Sequence, residues 1–393
     1  MSSPTSVAII GGSLAGLSAA RALRTQGYAG RLTVVSQEPH RPYDRPPLSK
    51  AFLAGTASRE DLVLEGADED LDADWWLGVA AESLDTSTRS VGLSDGSRLT
   101  ADAMVLATGA VPTMPWQPLG GVHVLRTLED CLALRADLLP GARVVVVGAG
   151  FIGAEVASTA HALGLHVVVV EAAATPLIGP LGPEMGAVIS SLHAEHGVTL
   201  LTGVGVAELV GTDRVSGVAL SDGRVIPADV VVVGVGVRPA TGWLSGSALT
   251  SPMGVLCDAY GATAVPGVVA IGDCATWFEP HHGTHHRLEH WTAARERADI
   301  AVATLLSDGD DRRRGRPPYF WSDQYGLTIQ MAGHASGADS VRVEDGAVED
   351  RDFLAVYRRG DVAVAVLAIG HRKAFTRWRR ELAQSASPSV STF

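Results

Sequence analysis

The sequence predicts an α/β fold made of two parallel-sheet halves, followed by a C-terminal α+β domain with an antiparallel sheet. Three observations carry that prediction. Residues 144–171 read VVVVGAGFIGAEVASTAHALGLHVVVVE: an apolar strand, a glycine turn, a helical stretch, a second apolar strand and a terminal acid. Residues 6–38 repeat that order, starting SVAIIGGSLAGLSAA. Beyond residue 316 the pattern changes to short alternating segments, the period of an antiparallel sheet.

Taken in order, residues 6–10 form a strand, Gly11, Gly12, Ser13 and Gly16 a turn, and a helix then runs to about Gln26, where Gly27 stops it. A second strand covers residues 32–35, with Glu38 just beyond. Ser13 stands where the middle glycine of such a turn is expected. Serine keeps its backbone N–H, so an anion contact survives if the local φ is negative. The segment PHRPYDRPPLSK, residues 39–50, carries four prolines and reads as a rigid ledge leading into a short helix. Arg41, Arg45 and Lys50 gather positive charge there. After an acidic stretch to Asp74, alternation up to Leu99 reads as an antiparallel excursion turning at Asp95 and Gly96. A strand at residues 104–107 returns and closes on Thr108, Gly109 and Ala110, where glycine allows a ligand to approach the chain.

Thr127 opens a helix, with Asp130 three residues on completing a variant of the capping box. The second unit follows: a strand at 144–147, a helix from Phe151 to about Leu163 that ends at Gly164, and a strand at 167–170. Each glycine of its loop has its own task. Gly148 permits the tight turn, Gly150 lets backbone N–H groups approach a pyrophosphate, and Gly153 lets the helix pack close to the strand. Glu171 lies 18 residues after Gly153, placed to accept hydrogen bonds from an adenosine ribose and to repel a 2′-phosphate. Both units therefore read as Rossmann-like dinucleotide sites, and the second prefers NAD to NADP.

Further on, a helix is expected over residues 183–196, a hairpin turning at Asp222 and Gly223, and an apolar strand at 229–233 closed by GVGVRP. A buried strand at 268–271 places Gly272 and Asp273 at its carboxyl end, where open α/β sheets hold ligands. Glu289, His290 and Trp291 open a helix to about Leu306. A charged linker at 308–316 leads to alternating segments at 327–332, 353–357 and 362–369, a basic helix at 372–382 and a serine-rich tail expected to be disordered. Three domains are expected: residues 1–110 with 240–316, residues 111–239, and residues 317–393.

Bulk properties narrow the function. A chain of 393 residues is too long for one core. With 31 Lys+Arg against 43 Asp+Glu, nucleic acid is not an expected partner, although residues 312–393 are locally basic with 13 basic and 9 acidic residues. No apolar run reaches the roughly 18 residues that span a bilayer, and the N-terminus lacks the regions of a signal peptide, so no membrane association and a cytoplasmic location are expected. Cys131, Cys257 and Cys274 form neither CxxC nor CxxxxC, which argues against a local redox-active pair. His281, His282, His285, His286 and His290 cluster in sequence, but no cysteine or carboxylate completes a geometry there, and no metal site is expected.

The two fingerprints together with PYDRPPLSK, ATGA, GFIGAE, GVGVRP, GDCA, EHWT and FWSDQYG, in this order, resemble the FAD-dependent, NADH-dependent ferredoxin reductases that feed bacterial oxygenases, over residues 7–373. The resemblance implies an FAD pyrophosphate held at Gly11, Ser13 and Gly16, with Glu38 on its ribose. It implies Arg45 and Lys50 beside pyrophosphate and flavin ring, Thr108 and Gly109 lining the FAD, and Asp273 on its ribityl or phosphate portion. Gly148, Gly150, Gly153 and Glu171 would bind NADH, and Gly236 would line the nicotinamide channel. Glu155 would pair with Lys50 near the hydride-accepting nitrogen, and Trp291 and Trp321 would lie near flavin and acceptor face. Each has a plainer reading: Glu155 as an acid favouring the first turn of its helix, Lys50 as a solvated side chain, Asp273 as a turn residue, the tryptophans as core. Residues 172–175, AAAT, lack the arginine the family would place after the acid. The implied partner is an iron–sulfur ferredoxin, and both monomer and homodimer stay open. Peroxidases and water-forming oxidases of the wider group need a cysteine by the flavin, which residues 39–50 do not supply. Rubredoxin reductase and a flavin-bearing interaction protein of apoptosis-inducing-factor type remain as alternatives.

Overall fold

The structure, a computed structural model, describes residues 4–280, 283–307 and 315–385. His281, His282, most of the expected linker at 308–316 and the serine-rich tail lie outside the described residues. Among the described residues six α-helices occur: α1 (Leu14–Thr25), α2 (Leu128–Asp137), α3 (Phe151–Ala162), α4 (Ile178–Glu195), α5 (Trp291–Leu306) and α6 (Arg372–Ser385). None of them is long and apolar enough to cross a membrane. The chain divides into two compact units, one of Met1–Asp44, Val63–Val111 and Arg238–Pro318, the other of Arg45–Leu62, Pro112–Val237 and Tyr319–Phe393.

In the first unit five parallel strands run in the order Val268–Ala270, Ala103–Leu106, Ser6–Ile10, Arg31–Ser36 and Ala73–Leu77. The three strands at 268–270, 103–106 and 6–10 are buried along their whole length, which explains why they read as continuous apolar runs instead of alternating ones. Leu17 and Leu23 of α1 share their core with Ala298, Ala301 and Val302 of α5. One expectation is corrected here: Ala73–Leu77 is a parallel edge strand beside Arg31–Ser36, not part of the antiparallel excursion. Alternation alone does not tell a half-covered parallel edge from a ribbon, and Trp75 and Trp76 pack only partly against the core. The ribbon proper is Ala81–Asp85, Ser90–Leu93 and Arg98–Thr100, with its last turn at Gly96, φ +82°.

In the second unit the parallel order is Thr199–Thr202, His166–Glu171, Arg143–Val147, Val230–Val233 and Val122–His123. The Thr127 hydroxyl accepts from Asp130 N at 3.1 Å and the Asp130 carboxylate from Thr127 N at 2.8 Å, the expected capping box of α2. Helix α4 starts five residues earlier than its sequence suggests and is broken at Gly182, whose φ of +73° and ψ of +173° are not helical.

Five antiparallel strands close this unit, ordered Tyr319–Gln324, Leu327–Gly333, Val362–Ile369, Asp352–Arg359 and Ser340–Ala347. The outer two carried little strand signal: Ser340–Ala347 is an edge strand rich in exposed polar residues. Alternation along the central strands sorts side chains to opposite faces. Phe353, Ala355 and Tyr357 pack with Leu181, Met185, Ile189 and Leu192 of α4, while Leu354 and Val356 pack with Phe375 and Leu382 of α6. Both faces are covered, and α4 and the C-terminal sheet share one core.

On α4, His193 is only 2% exposed, with Nδ1 2.7 Å from the Tyr325 hydroxyl, and the Tyr325 ring stacks on His196 at 4.3 Å. Burial, helped by the nearby charge of His196, lowers the His193 pKa from 6.5 to about 4. Between those values the unfolded chain takes up a proton that the folded one refuses. Stability present above pH 6.5 is therefore lost as pH falls toward about 4, by roughly 3 kcal/mol at about 1.4 kcal/mol per unit. Thermal unfolding followed across that range should show the decline, and His193→Gln should flatten it; an unaltered slope in the variant would rule out this histidine as its source.

Candidate functional site

In the first unit, three adjacent parallel strands end at the same sheet edge and deliver Gly11 to Ser13, Thr108 with Gly109, and Gly272 with Asp273. Gly11 has φ +118°, and a Cβ on it would meet the Ala107 carbonyl oxygen at 2.1 Å. A Cβ on Gly16 would stand 1.9 Å from the Gly11 carbonyl oxygen, so α1 approaches the strand end more closely than any side chain allows. Ser13 is the N-cap of α1 with φ −93°, an extended conformation open to serine, and its side chain makes no capping bond. The N–H groups of the first turn of α1 are thus the ones left for an anion. Thr108 Oγ1 donates to the Ala240 carbonyl at 2.8 Å, and the Gly109 carbonyl accepts from Ala240 N at 2.9 Å. Asp273 sits in the single turn Gly272–Cys274, Glu38 receives a hydrogen bond from the Tyr43 hydroxyl, and Trp291 starts α5 with its indole N–H on Asp44 Oδ1 at 2.6 Å. A glycine loop at a helix start, an acid after the second strand and ligand-facing strand ends together suit a dinucleotide.

The second unit repeats the device. Gly148 has φ +101° with its absent Cβ 2.4 Å from the Gly234 carbonyl oxygen, and that of Gly153 would be 2.1 Å from the Gly148 carbonyl oxygen. Gly150 differs: its φ is −71°, and a Cβ there meets nothing within 4 Å. No protein atom demands a glycine at this position, so the open space in front of it is what a close-approaching pyrophosphate requires. Glu171 has a bracing role that its sequence position does not disclose. Its Oε2 accepts from Ala149 N and its Oε1 from Ala173 N, both at 2.8 Å, so the acid also ties the glycine loop to the end of its strand. Gly236 has φ +98°, and its carbonyl accepts from Thr113 N at 3.0 Å.

The same unit brings Lys50 and Glu155 together, Nζ to Oε2 at 2.6 Å, although 105 residues separate them. Glu155 is 2% exposed and is the fifth residue of α3, whose first turn holds no acid, so the reading of Glu155 as a first-turn acid is corrected. Lys50, its side chain 19% exposed, also donates to the Pro46 carbonyl at 3.1 Å and follows a single 3-10 turn, Pro46–Ser49; it is not a solvated side chain. Ser49 Oγ lies 2.6 Å from Glu155 Oε2 and Ser322 Oγ 2.7 Å from Oε1. Neither serine was singled out from the sequence. The signal is present in FWSDQYG, where Ser322 and Gln324 are two residues apart in a strand and so share a face. Trp321 stacks on Tyr319 with centroids 6.2 Å apart, and the Arg45 guanidinium donates to the Arg126 carbonyl.

All three cysteines are buried free thiols. Burial pushes the Cys131 thiol up to about 11 and raises Cys257 and Cys274 as well, so none offers a thiolate near neutral pH. His285 and His286 lie on the strand Thr284–Arg287, and His290 is the N-cap of α5. Among the described residues no group of three or more His, Cys, Asp or Glu could hold a metal ion.

Residues 5–298 match the pyridine nucleotide-disulphide oxidoreductase family, and residues 319–393 match the reductase C-terminal family. The chain belongs to the pyridine nucleotide-disulphide oxidoreductases, though without a cysteine pair of the local CxxC or CxxxxC kind. It is 38% identical to the ferredoxin reductase component of a chlorobenzene dioxygenase from Cupriavidus sp. (strain PS12), covering 85% of this chain and 82% of the relative. It is 35% identical to putidaredoxin reductase of Pseudomonas putida, covering 93% and 89%. The crystal structure of a covalent putidaredoxin reductase–putidaredoxin complex superposes with a TM-score of 0.91 at 32% identity, over 97% of this chain and 93% of that one.

Substitution at the two glycines should separate folding from nucleotide binding. Gly153→Ala should lower the thermal midpoint, because its Cβ collides with backbone. Gly150→Ala should leave the midpoint within about 1 °C while weakening NADH binding about tenfold or more, since the methyl group enters the ligand's space. Equal midpoints for the two variants in a melting experiment would contradict this division.

Proposed function

We propose that this protein is the reductase of an oxygenase system: it takes a hydride from NADH, holds FAD as resident cofactor, and passes electrons singly to an iron–sulfur ferredoxin. The observation that carries the reading is the pair of glycine loops, each with a Cβ-forbidding helix approach and an acid after its second strand. The reductase C-terminal match over residues 319–393 supports the reading, and the three buried free thiols give no support to a thiol-using alternative. When bound, the flavin supplies the conversion of one hydride into two single electrons.

What the chain's own residues do follows from their places. Gly148, Gly150 and Gly153 carry the NADH pyrophosphate on the start of α3, Glu171 takes the ribose, and Gly236 keeps the nicotinamide passage free of side chains. Gly11, Ser13 and Gly16 carry the FAD pyrophosphate, Glu38 its ribose, and Thr108, Gly109, Asp273 and Trp291 line the rest, with Arg45 adding positive charge. Lys50 and Glu155 are a fixed ion pair serving the flavin end of the path. No nucleophile is required, and alignment and water exclusion do the work. We assign residues 1–110 with 240–316 to FAD, 111–239 to NADH and 317–393 to the electron-exit side. A reductase drawing on the NADH pool would work in the cytoplasm.

Rapid mixing of the yellow protein with NADH and a [2Fe–2S] ferredoxin should show flavin bleaching followed by ferredoxin reduction, with NADPH at least about tenfold less efficient because Glu171 repels a 2′-phosphate. Equal efficiency of the two nucleotides would refute the role of Glu171; no transfer to any iron–sulfur carrier would refute the function. Helix α6 exposes Arg372, Lys373, Arg377 and Arg380. Ferredoxin reduction should therefore slow several-fold between about 0.02 and 0.3 M salt, and a flat profile would remove α6 from the docking surface.

A further inference from the structure

Among the described residues Glu155 is the only carboxylate classed as buried, and a charge that deep needs its lone pairs answered. Oε2 is answered by Lys50 Nζ and Ser49 Oγ, Oε1 by Ser322 Oγ. Ser322 is fully buried, and Gln324 Nε2 lies 3.0 Å from its hydroxyl oxygen. A hydroxyl has one proton. With the Gln324 amide donating to the oxygen, that proton is directed at Glu155; with the amide reversed, two acceptors would compete for it and Oε1 would lose its donor. The pleat of the strand Tyr319–Gln324 puts Ser322 and Gln324 on one face, and hydrogen bonds to Leu327–Gly333 fix that strand's position.

We infer that Ser322, oriented by Gln324, is a positioning residue for hydride transfer: it holds Glu155, and through it the Lys50 ammonium, in one orientation. Ser322 exchanges no proton or electron. The inference rests on the proposed role of Lys50 and Glu155 at the flavin, and it gives residues 319–393 a part in the first half-reaction as well as in electron exit. A purely structural Ser322 would affect folding and leave the kinetics alone.

The test uses the FAD-loaded full chain as parent, Ser322→Ala, Ser322→Thr and Gln324→Leu. In stopped flow the limiting rate of flavin bleaching by NADH should fall about tenfold in Ser322→Ala, the order expected for one hydrogen bond to a charged group, with the NADH dissociation constant within about twofold of the parent. An equilibrium redox titration should show the flavin midpoint potential shifted negative, because the charge on Glu155 is less neutralised. Ser322→Thr should restore both, and Gln324→Leu, which keeps the hydroxyl, should reproduce part of the loss and serves if Ser322→Ala does not fold. Rate and potential like the parent in Ser322→Ala and Gln324→Leu overturn the inference while leaving the function intact. A parent that NADH does not bleach overturns the function reading itself, and the inference with it.

Discussion

A helix start that touches a strand end, with no Cβ between them, is the constraint on which the molecule depends. At Gly153 a side chain would have to fit within 2.1 Å of the Gly148 carbonyl oxygen, and at Gly16 within 1.9 Å of that of Gly11. Those distances lie far inside van der Waals contact. The close approach sets the first-turn N–H groups at the carboxyl edge of a parallel sheet, where backbone dipoles and unsatisfied donors suit an anion. Around that edge the remaining features of each unit fall into place: the acid after the second strand, and in the first unit the loops at Thr108 and Asp273 from the neighbouring strands.

The Lys50–Glu155 pair obeys a different logic. A buried ion pair is weak support for stability, since removing two charges from water offsets much of their attraction. Its retention in a water-poor setting, with a full set of donors on the carboxylate, is better understood as a means of holding a charge in a fixed place. The members of the cluster come from three separated stretches of chain: the donors Ser49 and Lys50 from the proline-rich segment, the acceptor Glu155 from α3, and the donor Ser322 from the C-terminal sheet. Such a cluster needs the strand Tyr319–Gln324 packed on α3, where the rings of Phe151 and Phe320 lie 4.8 Å apart against the core that holds Leu181, Met185 and Phe353.

Much of this was legible along the chain. The parallel strands, the glycine loops, the capping box at Thr127 and the turns at Gly96 and Gly223 are local matters, decided by φ, by the absence of Cβ or by a side chain reaching three residues along. The edge strand Ala73–Leu77 reads as part of an antiparallel ribbon and Ser340–Ala347 carries little strand signal, because a strand covered on one side or at a border has a weak apolar pattern. The early start and break of α4 at Gly182 were missed for a related reason: a glycine inside a helical stretch does not disclose its φ.

By itself, then, the sequence determined the two glycine loops, the central parallel strands with the helices that follow them, an acid after each second strand and the lack of a local cysteine pair. Only the tertiary structure decided that Gly150, alone among the three glycines of its loop, has open space where a Cβ would stand, and that Glu171 braces that loop. It also decided that Ser49, Ser322 and Gln324 complete the Glu155 site. The physical reason is range: torsions and periodicity are fixed by neighbours in sequence, whereas a buried charge collects its partners from wherever the packed core brings them.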